Sequence, residues 1–217
     1  RINDRVEKYF DCFHIDEVQD FGGYDFDMLE QFAKLNIPLN WVGDFFQHTY
    51  DTSRDANKNQ GLHSNLNRYL KRFNDAGMEI DLTTLLNSWR CSKSVTDFIS
   101  ENLKIQIGSN KKEDSQVLFI DDQEEVNKLI EDDSIIKLFY QGHVKYNCFS
   151  SNWGKLKGAD HLNDVCIALN GKTLDLYKKG KLHECASLTK NKLYVACSRA
   201  NRHLYLVPES LFKGFKN

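Results

Sequence analysis

Residues 13–20 have the sequence FHIDEVQD, and this segment gives the first indication of the fold class. The first half is apolar and rich in β-branched and aromatic residues, which predicts a short buried strand ending near Ile15. Two carboxylates, Asp16 and Glu17, follow that strand, at the edge where open α/β sheets bind ligands. Such a pair suits nucleotide hydrolysis, because one carboxylate can hold Mg²⁺ while the other orients or deprotonates water. An ordinary acidic loop is the alternative.

Along the whole chain, short apolar runs alternate with segments whose apolar residues recur at helical spacing. Strands are predicted at Cys12–Ile15, Leu39–Val42, Leu82–Leu86, Val117–Ile120, Ile135–Tyr140, Val165–Leu169 and Leu204–Val207. Helices are predicted at Tyr24–Ala33, Leu62–Phe73, Glu124–Ile130 and Leu188–Ala200, and from Ser92, as a cap, through Leu103. This alternation predicts an α/β fold with mostly parallel sheets flanked by helices. The polar stretch Gly108–Ser115 is the best candidate for a linker.

Composition excludes several classes of protein. The 217 residues are 41% hydrophobic and 28% charged, which fits one large or two small globular domains and excludes a disordered chain. No apolar run reaches the roughly 18–20 residues of a membrane span, and the start lacks a signal-peptide pattern. Six scattered cysteines without a CxxC pair fit a reduced, cytoplasmic protein. The net charge of −2 shows no basic excess, so any grip on nucleic acid must be local.

Five segments in order resemble motifs II to VI of superfamily 1 helicases of the UvrD/Rep-like group, and they span nearly the whole chain. FHIDEVQD resembles motif II, the Walker B element. WVGDFFQHTY at 41–50 resembles motif III, a strand followed by GDxxQ. The later segments are NSWRCS at 87–92 for motif IV, NWGKLKGAD at 152–160 for motif V, and LYVACSRA at 193–200 for motif VI.

The resemblance implies roles for individual residues. Asp16 would serve Mg²⁺, Glu17 would activate water and Gln47 would sense the γ-phosphate of ATP. Arg90 would reach the triphosphate and Arg199 would act as an arginine finger, which agrees with the need of phosphoryl transfer for charge stabilisation. The motif V residues Lys157 and Gly158 would touch both ATP and single-stranded DNA, with RNA as an alternative strand.

The chain also departs from the family pattern. The acidic position of motif V holds Asp160, and the place of the family histidine holds Gly154. The tryptophan that often follows GDxxQ is replaced by Thr52. Base stacking would then fall to Tyr50, to Trp153 or to residues outside the sequence, although a Trp beside a Gly is more often a packing residue.

Motif I, the phosphate-binding G-x-x-x-x-G-K-[ST], is absent from the sequence. The NGKT at 170–173 lacks the first glycine, since Cys166 stands in its place within an apolar strand, so NGKT is interpreted as a turn. We therefore expect the later part of a two-lobed RecA-like ATPase whose P-loop segment lies upstream. Residues 1–108 would complete the first lobe and 109–217 would form the second. Negligible ATP hydrolysis is expected of these residues alone.

Two alternatives from other classes remain. The chain could be a non-catalytic binding or regulatory module that has lost motif I. A nucleotide site that had long been unused would not need to retain the acidic pair, Gln47 and both arginines. A metal-dependent nuclease using Asp16 and Glu17 lacks a nearby lysine or further carboxylates in a suitable pattern. The resemblance leaves open the polarity of movement, unwinding against translocation, and the oligomeric state.

Overall fold

The computed structural model describes residues 2–49, 58–159 and 161–216. By internal packing the chain divides into two compact units, Arg1–Leu82 and Thr83–Asn217. Residues 83–108 thus pack with the second unit. The division into RecA-like lobes near residue 108 stays a prediction, because membership of a lobe is a different criterion from compactness.

The first unit is a small α/β arrangement built around two parallel strands. Its elements are α1 (Ile2–Tyr9), β1 (Phe13–Ile15), α2 (Gly23–Phe32), β2 (Leu39–Trp41) and α3 (Leu66–Asp75). β1 pairs in parallel with β2, and Ile15 lies opposite Trp41. Aromatic and aliphatic side chains from both strands and from α2 and α3 form one core: Ile15, Val18, Phe26, Leu29, Leu62, Tyr69 and Phe73.

The second unit contains a five-stranded parallel sheet. Its elements are β3 (Asn87–Ser88), α4 (Lys93–Phe98), β4 (Gly108–Ser109), β5 (Val117–Phe119), α5 (Gln123–Glu131), β6 (Ile136–Phe139), β7 (Ser150–Asn152), β8 (Val165–Leu169), α6 (Gly171–Lys178), α7 (Ser187–Cys197) and β9 (Leu204–Pro208). The sheet order is β5-β9-β8-β6-β7, and β3 pairs with β4 separately. All these pairings are parallel.

The sequence explains why β8 lies at the centre of that sheet. Its five residues, VCIAL, are buried throughout, as expected for a strand covered on both faces. Helix α5 packs beside it through Val126, Leu129 and Ile130, in a core that includes Phe139 and Phe212. The predicted α/β class with a mostly parallel sheet flanked by helices is confirmed.

Several local expectations were wrong. Leu82–Leu86 forms no strand, because Leu82 and Leu85 are exposed, and the extended pair begins at Asn87. Ser92 does precede α4, but its hydroxyl donates to the carbonyl of Arg202 at 3.2 Å and does not cap the helix. The expected linker 108–115 begins with β4.

The segment NGKT marks the start of a helix. Asn170 follows β8 and caps α6, its side-chain oxygen accepting from the Thr173 amide at 3.1 Å. The interpretation of NGKT as a plain turn was therefore incomplete, while the strand expected before it is confirmed. A capped helix directly after a buried strand leaves no loop to wrap phosphates.

Candidate functional site

The acidic pair lies at the carboxyl edge of β1 and β2. Asp16 is exposed there, and one of its carboxylate oxygens accepts from the Glu17 amide at 2.7 Å. Glu17 adopts the left-handed conformation, with φ of 55° and ψ of 41°. A non-glycine residue rarely takes this conformation, and when it does the surrounding structure has to hold it. The chain therefore turns sharply between the two carboxylates.

Gln19 supplies part of that support. Its side chain is completely buried, and its amide nitrogen donates to a carboxylate oxygen of Glu17. Its amide oxygen accepts from the backbone N–H of Asp44 at 3.0 Å. One side chain thus joins the loop after β1 to the loop after β2.

Asp44 continues the same chain of hydrogen bonds. One of its carboxylate oxygens accepts from the Phe46 amide at 3.0 Å and so caps the short 3₁₀ helix Phe45–Gln47. The other accepts from the side-chain amide of Gln47, also at 3.0 Å. Glu17 and Gln47, the two residues expected to act on water and on the γ-phosphate, are therefore the two ends of one network.

Gly43 makes this close approach possible. A Cβ at this position would lie 2.4 Å from the side-chain oxygen of Gln19 and 2.8 Å from Cγ1 of Val18. Any larger residue would push apart the two loops that Gln19 joins. The glycine of GDxxQ is thus required by the packing of the network.

Two stacked histidines lie behind the network. Nδ1 of His48 donates to the carbonyl of Gln19 at 2.8 Å, since a carbonyl can only accept. The ring of His63 stacks on His48 with centroids 3.7 Å apart. Burial, with a further contribution from His48, lowers the pKa of His63 to about 4. His63 is therefore neutral near pH 7 and supports the network as a packing group.

The motif IV segment forms a tight turn after β3. The hydroxyl oxygen of Ser88 accepts from the amides of Arg90 and Cys91, at 3.1 and 2.9 Å. The Cys91 thiol donates to the carbonyl of Ser198, which joins this turn to the motif VI segment. Arg90 is half-buried, and Trp89 beside it is 80% exposed.

Arg199 is placed differently from an exposed arginine finger. It is only 1% exposed, and its guanidinium donates to the carbonyls of Val195, Leu156 and Ala159 at 3.2–3.4 Å. Two of these acceptors belong to the motif V loop, so Arg199 ties motif VI to motif V within the second unit. Contact between this guanidinium and a phosphate requires the side chain to leave these carbonyls.

The other motif V residues lie on the same loop. Lys157 is half-buried and Gly158 is exposed with φ of 83°, a conformation that strains any residue with a side chain. Trp153 is completely buried, and its indole N–H donates to the carbonyl of Leu138 at 2.9 Å. Stacking of a base on Trp153 is therefore excluded in this conformation, because neither ring face is open. Tyr50 and Asp160 lie outside the described residues.

The structure brings the site residues together in two groups. Asp16, Glu17 and Gln47 converge in the first unit through Gln19 and Asp44. In the second unit, Arg199 donates to the carbonyls of Leu156 and Ala159, on the loop that also carries Lys157 and Gly158. A single site that combines both groups with Arg90 stays a prediction.

Sequence reasoning missed Gln19, Asp44 and Gly43 as parts of the site. The sequence did contain one indication, because DEVQD places the polar Gln19 next to the apolar Val18 just after the strand β1. The partner of that side chain lies 25 positions away, at Asp44. Sequence spacing alone does not reveal such a contact.

The acidic edge fits a magnesium ion held jointly with a nucleotide. Within residues 2–49, 58–159 and 161–216, no three His, Cys, Asp or Glu side chains converge as a protein-only metal site would require. Mg²⁺ usually binds through one or two carboxylates together with substrate phosphates and water, and the exposed Asp16 can supply that carboxylate. Among the described residues, none of the helices is both long and apolar enough to cross a membrane.

Comparisons with known proteins agree with the fold. No family model matches the chain, and no curated protein matches it. The solved structure of PRRSV helicase is similar, with a TM-score of 0.53 and 15% identity, over 94% of this chain and 36% of that one. A structure of methylated PRRSV nsp10 (helicase) also matches, at a TM-score of 0.35 and 14% identity, over 90% and 35% of the two chains. The chain thus spans about a third of the first structure, and the likeness shows a helicase-like fold.

Proposed function

We propose that these residues are the later part of a superfamily 1 helicase-like ATPase of the UvrD/Rep-like group, acting with Mg²⁺ on single-stranded nucleic acid. DNA is the preferred strand in this proposal. A P-loop supplied by sequence upstream of residue 1 would complete the ATP site, since no G-x-x-x-x-G-K-[ST] occurs in the 217 residues. The motif order and the helicase-like fold support this function.

The observation that carries the proposal is the half-buried hydrogen-bond network between Glu17 and Gln47. A water-activating carboxylate has to be held within hydrogen-bond reach of its target, and a phosphate sensor has to respond to the same nucleotide. The chain of hydrogen bonds through Gln19 and Asp44 provides this fixed relation at the carboxyl edge of parallel strands, where ligands of α/β proteins bind.

The proposed chemistry assigns one task to each residue. Asp16 would hold Mg²⁺, which would neutralise charge on the phosphates, and Glu17 would take the proton of the attacking water. Gln47 contacts the γ-phosphate, while Arg90 and Arg199 neutralise charge as the phosphoryl group transfers. For Arg199 this requires a conformation in which the motif V loop releases the guanidinium. Lys157 and Gly158 link that loop to the nucleic acid strand.

The test compares the 217-residue chain with an extended protein, which includes the coding sequence upstream of Arg1. We expect negligible Mg²⁺-dependent ATPase activity from the chain alone and clear turnover, stimulated by single-stranded DNA, from the extended protein. Glu17→Gln in the extended protein should lower kcat by about 100-fold or more while ATP binding is retained. Vigorous turnover by the 217 residues alone would contradict the proposal.

A second candidate is the non-catalytic binding module, and the burial of Arg199 is the observation that favours it. An arginine held by backbone carbonyls serves the structure of the loop and need never reach a nucleotide. On this view the chain binds a single strand without hydrolysing ATP. Anisotropy titrations with labelled DNA and RNA oligomers, with and without Mg²⁺-ATP, separate the two functions and the two strands.

A further inference from the structure

We infer that Gln19 is a positioning residue that makes the water-activating carboxylate and the γ-phosphate sensor act as one unit. The inference rests on the proposed nucleotide function and assigns a role that the motif comparison did not give to this residue. Gln19 touches neither water nor phosphate in this scheme. It acts through Glu17 on one side and through the Asp44–Gln47 segment on the other.

Its side chain is bonded in both directions. The N–H group of the amide donates to Glu17 and the amide oxygen accepts from the Asp44 N–H, so the two polar atoms of one amide serve two different loops. The backbone carbonyl of Gln19 accepts from His48 as well. A completely buried side chain with both ends bonded has a single orientation, because either end left unpaired in the interior costs free energy.

The surroundings also make the contact hard to replace. Glu17 lies in the left-handed region and depends on its neighbours to stay there. A Cβ at position 43 would collide with the Gln19 oxygen, so the contact needs the glycine that stands there. A displacement of Gln47 by a phosphate would therefore pass through Asp44 and Gln19 to the Glu17 carboxylate. The buried His48 ring donates to the backbone carbonyl of Gln19 and so holds the same residue from its main chain.

Two substitutions separate the two halves of the contact. Gln19→Met keeps the size of the side chain and removes both hydrogen bonds. Gln19→Glu keeps an oxygen for the Asp44 N–H but cannot donate to the Glu17 carboxylate when ionised. Gln31→Met is the matched control, because Gln31 is exposed on α2 in the same unit.

The first measurement is amide hydrogen exchange in the 217-residue chain, which needs no nucleotide. We expect the Asp44 amide to lose protection in Gln19→Met and to retain it in Gln19→Glu and in Gln31→Met. Unchanged protection in a folded Gln19→Met variant would overturn the contact on which the inference rests. Thermal unfolding of each variant reports whether it folds. If Gln19→Met does not fold, Gln19→Glu still tests the inference.

The second measurement is steady-state ATPase kinetics of the extended protein. We expect both Gln19 variants to lose about 10- to 100-fold in kcat with KM for ATP little changed, as a misplaced catalytic group would cause. A merely structural role would instead lower the amount of folded enzyme and leave kcat per folded molecule unchanged, and that result would overturn the inference. If the unsubstituted protein has no ATPase activity, the proposed function itself fails, which is a different outcome.

Discussion

Trp89 is the residue whose exposure has the clearest functional meaning. It is 80% exposed, it follows β3 directly, and it precedes Arg90, which the motif resemblance assigns to the triphosphate. An exposed indole offers a flat face on which the base of a nucleotide can stack. We therefore predict that Trp89 stacks on the base of ATP while Arg90 reaches its triphosphate.

Replacing Trp89 by Ala in the extended protein should weaken ATP binding by roughly tenfold, because base stacking on an aromatic side chain is worth about 1–3 kcal/mol. Titration with a fluorescent ATP analogue measures the change. Leu85→Ala is the control, since Leu85 is equally exposed in the same unit but has no ring. Equal affinities for the Trp89→Ala and Leu85→Ala variants would contradict a role in base binding.

Sequence reasoning about single residues succeeded where a residue type and its place in a motif suffice. Asp16 and Glu17 do follow a strand, β1, whose last residue Ile15 is buried, and Gln47 does lie just beyond the carboxyl end of the neighbouring strand β2. For Trp153 a packing role was the more common expectation, and its complete burial agrees with that. Sequence alone did not exclude the alternative of base stacking, because the burial of this indole depends on its packing against β6, where its N–H donates to the carbonyl of Leu138.

At the scale of elements, one ion pair fixes where two central strands begin. Arg202, just before β9, donates to both carboxylate oxygens of Asp164, just before β8, at 3.0 and 2.7 Å. The His203 amide donates to the same carboxylate at 3.1 Å. Burial would raise the pKa of Asp164, but these hydrogen bonds outweigh it and hold the pKa below its usual value.

Asp164→Asn should destabilise the protein by about 1–2 kcal/mol near neutral pH, a value kept modest because Arg202 is half-exposed. A carboxyl whose pKa is lowered by folding stabilises the fold above its unfolded pKa of about 3.9, and this contribution disappears as pH falls through the folded pKa. The difference in unfolding free energy between the unsubstituted protein and Asp164→Asn should therefore be largest near neutral pH and should disappear at acid pH. Urea unfolding across that range measures it, and a difference that does not change with pH would contradict the assignment.

The helices and strands that could be predicted are those in which the apolar residues of the sequence are the ones buried in the structure. Val165–Leu169 was predicted to the residue, because a fully apolar run of only five residues is typical of a strand covered on both faces. α1 was missed because its residues are mostly polar and none of them is buried, although Ile2, Val6 and Tyr9 do follow helical spacing. Leu82–Leu86 has the composition of a strand, but residues 82–85 are exposed, so hydrophobicity alone predicted the wrong element.

At the scale of the whole molecule, each compact unit has a core made from its own residues. The core around Phe26 and Tyr69 uses residues of the first unit, and the core around Phe139 and Phe212 uses residues of the second. A unit that completes its own core satisfies the main requirement for independent folding.

Residues 83–217 expressed alone should therefore fold and unfold cooperatively in urea, with a near-ultraviolet circular dichroism signal from fixed aromatic rings. Val126→Asp is the matched disruptive variant, because Val126 is completely buried in the core of this unit and a carboxylate there has to be desolvated. A fragment that binds hydrophobic dyes and lacks that dichroism signal would show that the second unit needs the first.

The three tryptophans of the chain give this division an optical consequence. Trp41 lies in the first unit against Phe73, Trp153 is sealed inside the second, and Trp89 stands in water. Their fluorescence therefore reports three environments, and a soluble quencher such as acrylamide reaches Trp89 long before Trp153. Replacing two tryptophans at a time by phenylalanine leaves one fluorescent tryptophan at a chosen position. The variant that retains Trp41 then reports the unfolding of the first unit and the one that retains Trp153 that of the second. The variant that retains Trp89 reports ligand binding at its exposed ring.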